Sequence, residues 1–384
     1  MGTMGKVFIY GLIGLVVSWA ALYVRYSNEE NRDARKYRLP SPPELVGPLE
    51  PNQWLESPQY ILKGKIDGPE SIEVDDEAIY ASLVDGRVVK IVDGEIVAEV
   101  RFSKERKGCG KFDMEPTCGR PLGIRKLDGD RFVVVDAYLG IFLVDFAKQP
   151  PSFEQVYKSS TPIQGRVPRF LNDIDVLNND EIVFSDSSYK HDRRHFMLAL
   201  LEQSSNGRII HYKLSTRKAT VLLENLYFPN GVQLFADKKS LLFAECGMAR
   251  IKRLWLDSKK VEIFAANLPG MPDNIRLDKE GFFWVGLAAV RQSKASSLFD
   301  VLGPLPGIRQ FLIDIVPARL WKPMLSMFKK PHALVVALDQ KGEVVRSLHD
   351  TTGKFVEDVS QATPWQNSLY LGSFHSPYIA KINL

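Results

Sequence analysis

The strongest constraint on the fold is a repeat that recurs six times after residue 60. Each copy opens with a small or polar pair, alternates apolar and polar residues, turns at Asp, Asn or Gly, and enters a hydrophobic strand. The copies begin at Glu70, Leu122, Asn172, Asn230, Asp273 and Val359, at spacings of 52, 50, 58, 43 and 86 residues. These spacings suit four-stranded blades with variable loops, so the sequence predicts an all-β fold, a six-bladed β-propeller.

The predicted propeller occupies residues 59–384. Its sixth blade needs strands from both ends of this range, because closing the ring removes the exposed edges that an open sheet must protect. Residues 59–62 and 378–382 are apolar runs suited to that pairing. The sequence predicts the partners but not their register.

An insertion at about residues 291–330 accounts for the longest gap between repeats. Apolar residues recur there at helical spacing and share one face, namely Ile308, Phe311, Leu312 and Ile315. Three interpretations stay open at this point. The insertion is a lid over one end of the propeller, a surface helix that dips into a membrane, or a helical segment packed on the rim.

An apolar stretch near the start of the chain predicts a membrane anchor. Residues 7–24 are 18 residues without a charge, which at 1.5 Å rise per residue approach the roughly 30 Å hydrocarbon thickness of a bilayer. A cleaved signal peptide is the alternative, because Ser18 and Ala20 are small residues that suit signal peptidase. We expect a short tail at residues 1–6, a transmembrane helix, and a proline-rich stalk at residues 25–58.

Charge and cysteine content give opposing indications of where the large domain lies. Lys6 alone precedes the apolar stretch, whereas several basic residues follow it, so the positive-inside rule places the domain in the cytosol. Cys109 and Cys118 are nine residues apart in a glycine-rich stretch and suit a disulfide, which would favour the lumenal side. Two reduced thiols are the alternative for a cytosolic domain.

Charge distribution and motif content exclude several classes of function. The 50 basic and 46 acidic residues are interspersed and leave a net charge of +4, so no clustered basic face predicts nucleic-acid binding. The chain also lacks a Gly-x-Ser-x-Gly elbow and a phosphate-binding glycine loop. A serine hydrolase and a nucleotide enzyme are therefore disfavoured.

Oxygen-bearing side chains occupy the same phase in four of the six repeat openings. They are Glu70, Asn172, Asn230, Asp273 and Asn274. The inner strands of a propeller converge on its axis, so residues at equivalent openings meet in space. Carboxylate and amide oxygens are the ligands that Ca²⁺ prefers, and the set contains no sulfur or imidazole. Each residue type is also common in turns, but recurrence at one phase favours a single calcium ion at the hub.

Motifs along almost the whole chain resemble the strictosidine synthase-like family, which is related to paraoxonases and gluconolactonases. They include GPES at 68–71, CGRPLGI at 118–124, SDSS at 185–188, FPNGVQL at 228–234, PDNIR at 272–276 and LYLGSF at 369–374. The resemblance implies a propeller on a signal-anchor, hence a single-pass type II membrane protein. It places the domain in the lumen or outside the cell, at the plasma membrane or endoplasmic reticulum, against the charge count.

Carried over residue by residue, the resemblance implies a catalytic calcium on the same five residues. Asn172, Asn230 and Asp273 are then catalytic, with the ion polarising a substrate carbonyl and Asp273 acting as nucleophile or base. Leu122 stands where a paraoxonase histidine would activate water, and leucine cannot transfer a proton. Ser71 stands where a second, structural calcium would need an acidic residue, so one ion is expected.

We expect a calcium-dependent hydrolase of the arylesterase or lactonase type, acting on a small-molecule ester or lactone. Strictosidine synthase activity is not expected, because its acid–base glutamate has only Glu357 as a loosely placed counterpart. The alternative is a non-catalytic propeller with a structural calcium, whose insertion or rim loops dock a membrane protein partner. The six histidines are not at metal-ligand or catalytic spacing and predict no further site.

Overall fold

The part of the chain that the structure describes contains six four-stranded antiparallel sheets. The structure is a computed structural model, and it describes residues 11, 13–23, 33–292, 297–326 and 331–384. The sheets are the blades of a six-bladed β-propeller, which confirms the predicted fold. In five blades the four strands follow one another along the chain, so each blade corresponds to one sequence repeat.

The strands are numbered in chain order. They are β1 Gln59–Ile61, β2 Ile72–Val74, β3 Ile79–Ser82, β4 Arg87–Val92, β5 Glu95–Arg101, β6 Pro121–Asp128, β7 Arg131–Asp136, β8 Gly140–Asp145, β9 Ser152–Lys158, β10 Leu171–Asn178, β11 Glu181–Asp186, β12 Gly207–Lys213, β13 Lys218–Leu226, β14 Pro229–Leu234, β15 Ser240–Glu245, β16 Arg250–Trp255, β17 Val261–Ala265, β18 Gly270–Leu277, β19 Phe283–Val290, β20 Ala333–Leu338, β21 Val344–Asp350, β22 Val359–Trp365, β23 Ser368–Ser373 and β24 Ile379–Asn383. Blades 1 to 5 take four successive strands each, beginning with β2, and blade 6 takes β22, β23, β24 and β1; the strand named first in each blade lies nearest the axis.

Short helices occur outside the blades. They are α1 Glu115–Cys118, α2 Phe196–Glu202, α3 Leu298–Leu302, α4 Pro306–Ile315 and α5 Ala318–Ser326. Single 3-10 turns lie at Gly47–Leu49, Phe112–Met114, Arg193–His195 and Cys246–Met248. Cys109 and Cys118 form a disulfide, as their spacing predicted, and it closes the loop that contains α1.

The ring closes through the sixth blade, which combines β22, β23 and β24 with β1. Gln59 pairs with Lys381 and Ile61 pairs with Ile379, in antiparallel register. This confirms the predicted pairing of the two ends of the domain. Because the last blade is shared between the ends of the chain, every blade has a neighbour on both sides.

Serine hydroxyls join neighbouring blades at the first residues of the inner strands. Each hydroxyl donates over 2.6–2.7 Å to a backbone carbonyl of the next blade: Ser82 to Leu122, Ser185 to Asn230, and Ser360 to Glu70. The acceptors are three of the six predicted repeat openings. These hydrogen bonds therefore hold the openings at one level around the axis.

The helices α3, α4 and α5, here called the lid, lie within the predicted insertion. Helices α4 and α5 pack on α2, and α3 contributes Phe299 to the buried cluster at the end of the propeller where the inner strands begin. The segment of residues 33–41, here called the strap, packs against the lid. The Tyr37 hydroxyl donates to Phe299 O over 2.9 Å, and Arg309 Nε donates to Leu302 O over 3.0 Å. Apolar side chains of the strap, α2 and the inner-strand openings form one buried cluster beneath the lid.

The structure describes only part of the predicted membrane anchor at residues 7–24. Residues 7–10, 12 and 24 lie outside the described residues, and residues 13–23 are helical. In the described part of the chain, no helix has both the length and the hydropathy needed to cross a bilayer.

Close approach of blades 4 and 5 requires glycine at position 231. A Cβ atom there would lie 2.6 Å from the Cα of Asn274 and 2.6 Å from the carbonyl oxygen of Asp273. We expect Gly231→Ala to lower the free energy of unfolding by about 1–3 kcal/mol, because the backbones must separate. Calcium binding should weaken as well, since the contacted residues are candidate ligands. Denaturant unfolding and calcium titration measure the two effects.

Gly94→Ala is the control for this substitution. Gly94 lies in the turn between β4 and β5, and no heavy atom of the described residues is within 4 Å of its added Cβ. It has a positive φ of 76°, so alanine should cost about 1 kcal/mol through backbone strain alone. Unchanged calcium binding in both variants would contradict the close approach at the hub.

Candidate functional site

Four of the five candidate ligands lie where the ladders of the inner strands are interrupted, and Glu70 lies just before the inner strand of its own blade. All five are 0–6% exposed and belong to four blades: Glu70, Asn172, Asn230, Asp273 and Asn274. In β10, β14 and β18, pairing with the following strand skips two residues, and the skipped pairs contain four of the candidates. Such bulges release residues from the ladder and re-aim their side chains. The same irregularity in successive blades explains why these donors recur at one phase.

Four of these residues carry a buried oxygen that has no hydrogen-bond partner among the described residues. The atoms are Glu70 Oε2, Asn230 Oδ1, Asp273 Oδ1 and Asn274 Oδ1. Buried polar atoms without partners are uncommon, because each has lost its hydration without compensation. Asn172 differs, since its Nδ2 donates to Ser187 Oγ over 2.9 Å. Oxygens without donors, contributed by separate blades, fit the requirements of a cation.

Burial and mutual repulsion act on the two carboxyl groups of the set. Burial raises the pKa of Glu70 to about 7, although the nearby Arg120 charge opposes the shift. The pKa of Asp273 is raised well above its ordinary value, first by burial and then by the negative charge of Glu70. The Asn230 side chain lowers it in part. A bound divalent cation would offset both the burial and the repulsion.

The five candidate ligands include fewer charged side chains than the metal sites that consist mainly of carboxylates. Within the described residues, no group of three or more His, Cys, Asp or Glu side chains is placed to hold a metal ion. The hub set has two carboxylates and three amides. Because calcium affinity rises with the number of charged ligands, this donor set suits an ion that a chelator can remove.

A network of guanidinium and carboxylate groups adjoins the donor set. Asp173 is 0% exposed and accepts hydrogen bonds from Arg276 at 2.9 and 3.1 Å and from the backbone N–H of Val232 at 3.0 Å. Arg125 lies 3.7 Å from Asp173 and 3.3 Å from Asp175. Protein donors occupy both oxygens of Asp173. Asp173, unlike Glu70 and Asp273, therefore has no oxygen without a hydrogen-bond donor that could bind a second ion.

Leu122, which stands where a paraoxonase histidine would be, has apolar neighbours. Leu122 is 3% exposed and belongs to the buried cluster that includes Phe170, Phe228 and Met271. All four lie at the same end of the inner strands as the candidate ligands. This apolar wall suits the aryl or acyl part of an ester, but it supplies no proton acceptor.

Charged residues outside the repeat openings also reach this end of the hub. Glu115 accepts a hydrogen bond from Arg193 at 2.8 Å and from the Tyr138 hydroxyl at 2.9 Å. Burial opposes ionisation of Arg193, but the charges of Glu115, Glu70 and Asp273 raise its pKa above the ordinary value. Sequence analysis missed this group because its members lie at the start of α1, at the start of the 3-10 turn Arg193–His195 and in the turn between β7 and β8, which have no repeat phase. The cysteine pair was the one sequence signal near Glu115.

Two histidines are paired in space although their sequence spacing does not suggest it. His332 Nε2 and His349 Nδ1 are 2.9 Å apart, and His349 Nε2 is 2.9 Å from Ser347 Oγ. Burial lowers the pKa of His349 to about 4 and also lowers the pKa of His332. Since His349 and Ser347 lie on the outermost strand of blade 5, the pair is a structural contact away from the hub.

Comparisons with known proteins bear on the whole chain. The Strictosidine synthase family profile matches residues 172–259, and the profile of the Strictosidine synthase-like N-terminal region matches residues 47–91. Adipocyte plasma membrane-associated protein of mouse is 36% identical over 386 residues, covering 99% of this chain and 91% of the relative. Protein strictosidine synthase-like 3 of Arabidopsis thaliana is 30% identical over 370 residues, covering 92% of each.

The chain belongs to the strictosidine synthase-like family.

Solved structures with the same fold are more distant from this strictosidine synthase-like protein. A calcium-binding protein, regucalcin, from Agrobacterium tumefaciens has a TM-score of 0.54 at 13% identity, covering 84% of this chain and 92% of its own. A gluconolactonase from Xanthomonas campestris has a TM-score of 0.54 at 14% identity, covering 92% and 99%. At these identities the similarity establishes the propeller fold alone.

We expect calcium to stabilise this strictosidine synthase-like propeller more at pH 8 than at pH 6. The pKa of Glu70 rises from 4.5 to about 7 on folding, so the metal-free fold loses stability as pH rises through this range. A cation would compete with the proton at low pH and restore the lost stability at high pH. The measurement is the thermal unfolding midpoint with excess calcium or chelator at each pH.

Glu70→Gln is the control, because glutamine keeps an oxygen donor but removes the titrating group. The difference between the calcium effects at the two pH values should shrink in this variant. An equal calcium effect at pH 6 and pH 8 in the native chain would contradict the assignment of Glu70 as a ligand.

Proposed function

We propose that the hub binds one calcium ion and that the chain is a calcium-dependent hydrolase of the arylesterase or lactonase type. The observation that carries this proposal is the set of buried oxygens without partners in the described hub, contributed by three blades. Asn172, from a fourth blade, completes the proposed ligand set of Glu70, Asn172, Asn230, Asp273 and Asn274. The neighbouring carboxylate Asp173 is already paired with Arg276, which supports one ion rather than two.

When bound, calcium would polarise a substrate carbonyl and stabilise the negative charge that develops on its oxygen. The side chains of the hub have separate tasks. Asn172 is oriented by its hydrogen bond to Ser187, and Asn230 lies beside the Asp273 carboxyl. Asp273 keeps an oxygen without a hydrogen-bond donor among the described residues, so we assign it to accept a proton from water or to attack the carbonyl itself.

The apolar cluster around the hub supports a substrate with an aryl or alkyl group. Leu122, Phe228 and Met271 are 3–7% exposed and border the end of the hub that carries the oxygen donors. A site that combines a few polar groups with an apolar wall is typical of small-molecule binding. The solved propellers of similar fold include proteins described as gluconolactonases, which is consistent with ester chemistry in this architecture.

We further propose that the chain is a single-pass type II membrane protein with its propeller in the lumen or outside the cell. The Cys109–Cys118 disulfide supports this side of the membrane, because disulfides persist in oxidising compartments. Relatives that match almost the whole chain are named plasma membrane-associated proteins. The apolar stretch at residues 7–24 would be the anchor.

A structural calcium in a membrane-bound scaffold is the second candidate function. The observation in its favour is the cover over the hub, where the five proposed ligands are no more than 6% exposed. An ion held so deeply can stabilise the ring without reacting with a substrate. The exposed surface of the lid would then dock a membrane protein partner.

We expect hydrolysis of an aryl acetate to require both calcium and Asp273. Replacing Asp273 by alanine removes a ligand and the proposed base together, so turnover should fall by about 10²-fold or more. Asp257→Ala, in an exposed turn on the outer side of blade 4, is the matched control and should retain native turnover. Initial rates with calcium and with chelator are the measurement.

Native rates in the chelated protein and in Asp273→Ala would rule out the hydrolase proposal. A calcium-dependent rise in the unfolding midpoint without turnover above the Asp273→Ala background would instead support the scaffold.

A further inference from the structure

Helix α4 of the lid has the reverse of the polarity expected for a helix packed on a protein core. Arg309 and Gln310 are buried, at 0% and 1% exposure, whereas Ile308 and Ile315 are 49% and 54% exposed. Phe311, on the same stripe, is 40% exposed. Residues at i, i+3 and i+7 share one helix face, so the apolar face of α4 is turned away from the propeller.

Hydrogen bonds hold α4 in this orientation. Buried Arg309 donates to the carbonyls of Leu302 and Gly303 at 3.0 and 3.2 Å, and also to the carbonyls of Leu201 and Arg35. Turning the helix so that its apolar face became buried would leave this guanidinium without its acceptors, at a large free-energy cost. The outward apolar face is therefore built into the lid.

Gln310 adds a second link between α4 and the strap. Its Oε1 accepts hydrogen bonds from the backbone N–H groups of Asp33 and Ala34 at 2.8 and 3.0 Å. Asp33 and Ala34 directly follow residues 25–32, the stretch after the predicted anchor. The beginning of the strap is thus fixed to the helix whose apolar face is exposed.

Helices α3 and α5, and the loop between α3 and α4, expose large apolar side chains as well. Val301 is 53% exposed, Leu305 is 43% exposed and Leu320 is 52% exposed. Single exposed apolar residues are common on soluble proteins, but a set concentrated on one structural unit marks an interaction surface. We call these three residues together with Ile308 and Ile315 the apolar lid face.

The strap indicates what covers this face. Ala34, Tyr37 and Leu39 are buried against the lid, whereas Arg35, Lys36 and Arg38 are exposed beside it. Only residues 25–32 separate the strap from the apolar stretch at residues 7–24. Because an extended chain spans at most 3.3–3.6 Å per residue, the lid lies within about 30 Å of the end of that stretch.

We propose that the apolar lid face docks on the surface of a lipid bilayer, with the exposed strap cations at the level of the headgroups. Apolar side chains next to basic residues are the combination that binds the bilayer interface. We choose a bilayer as the partner of this face because we propose that residues 7–24 anchor the chain in a membrane. The docking is a property separate from the proposed hydrolase activity. In this arrangement the covered end of the hub faces the membrane, so a lipophilic ester could reach it from the lipid phase.

The test uses the full chain reconstituted in vesicles of phosphatidylcholine with phosphatidylserine. An environment-sensitive fluorophore is attached through Ile308→Cys or Ile315→Cys, both at half-exposed positions where substitution preserves packing. The native disulfide and the buried Cys246 leave the new thiol as the reactive one. Lipids brominated in their acyl chains should quench these labels several-fold more strongly than a label at Glu280→Cys. Glu280 is exposed in the turn between β18 and β19, at the opposite end of the propeller.

A second pair of variants separates docking from anchoring. With the label at Ile308→Cys, adding Leu305→Asp and Ile315→Asp should reduce the quenching several-fold, because charged side chains disfavour the lipid phase. The matched control carries Val97→Asp and Ile263→Asp on outer strands, where exposures of 58% and 55% are similar. It should leave the quenching unchanged. Equal unfolding midpoints verify that each variant is folded.

Several outcomes would overturn the docking proposal. Labels at Ile308→Cys and Ile315→Cys that bromolipids do not quench would show that lipid does not contact the lid. Label–label self-quenching without bromolipid quenching would assign the face to a second copy of the chain. Protection from iodide alone would show that residues of the same chain cover the face. A full chain that does not float with vesicles would exclude the bilayer. Aryl acetate turnover of the same samples is read separately, so docking and hydrolysis can fail independently.

Discussion

The pairing of β1 with β24 is the contact on which the hub depends. It brings Gln59 and Ile61 against Lys381 and Ile379, and so places the first blade beside the last. Only then can Ser360 donate to the carbonyl of Glu70. Glu70 precedes β2, the first strand of its own blade. Its position is fixed in part by Ser360, which lies near the other end of the sequence. The geometry of the donor set is consequently a property of the closed ring and not of any one repeat.

Two kinds of buried carboxylate occur at the hub, and they differ in how their charge is compensated. Asp173 is held by Arg276, which gives it a permanent counter-ion within the fold. Glu70 and Asp273 each keep an oxygen without a donor among the described residues, and their pKa values are raised. Burial is similar in both cases. Because nearby guanidinium groups offset the charge of Glu70 and Asp273 only in part, the protonation of this second pair and the binding of a cation are linked.

Sequence periodicity was sufficient to predict the blades, their closure and the phase of the candidate donors. A strand pattern is local, and six copies of it in one chain leave few alternatives to a propeller. Glu115 and Arg193 were missed because they begin short helical turns between strands, whose positions depend on contacts between blades. The relation between His332 and His349 was missed for the same reason, since one residue precedes β20 and the other lies within β21.

The lid shows a different limit of sequence reasoning. The spacing of Ile308, Phe311, Leu312 and Ile315 predicts an apolar face but carries no information on whether that face points inward or outward. In the structure Leu312 is half-buried and the other three are exposed. The direction is decided by Arg309, whose acceptors lie on α2, the strap and the lid itself. An isolated arginine in an apolar helix gives no sequence signal of such a set of acceptors.

The strap joins parts of the molecule that are far apart in the chain. Its backbone is bonded to α4 at one end, and its Tyr37 ring packs beneath Arg309 with a separation of 4.7 Å. A pull on the strap from its N-terminal side would therefore act on the lid through Gln310, and on the loop between β11 and β12 through the ion pair of Asp33 with Lys190. The hydrogen bonds of Asp33 and Ala34 with Gln310 would therefore both transmit tension from the N-terminal segment and hold the lid in place.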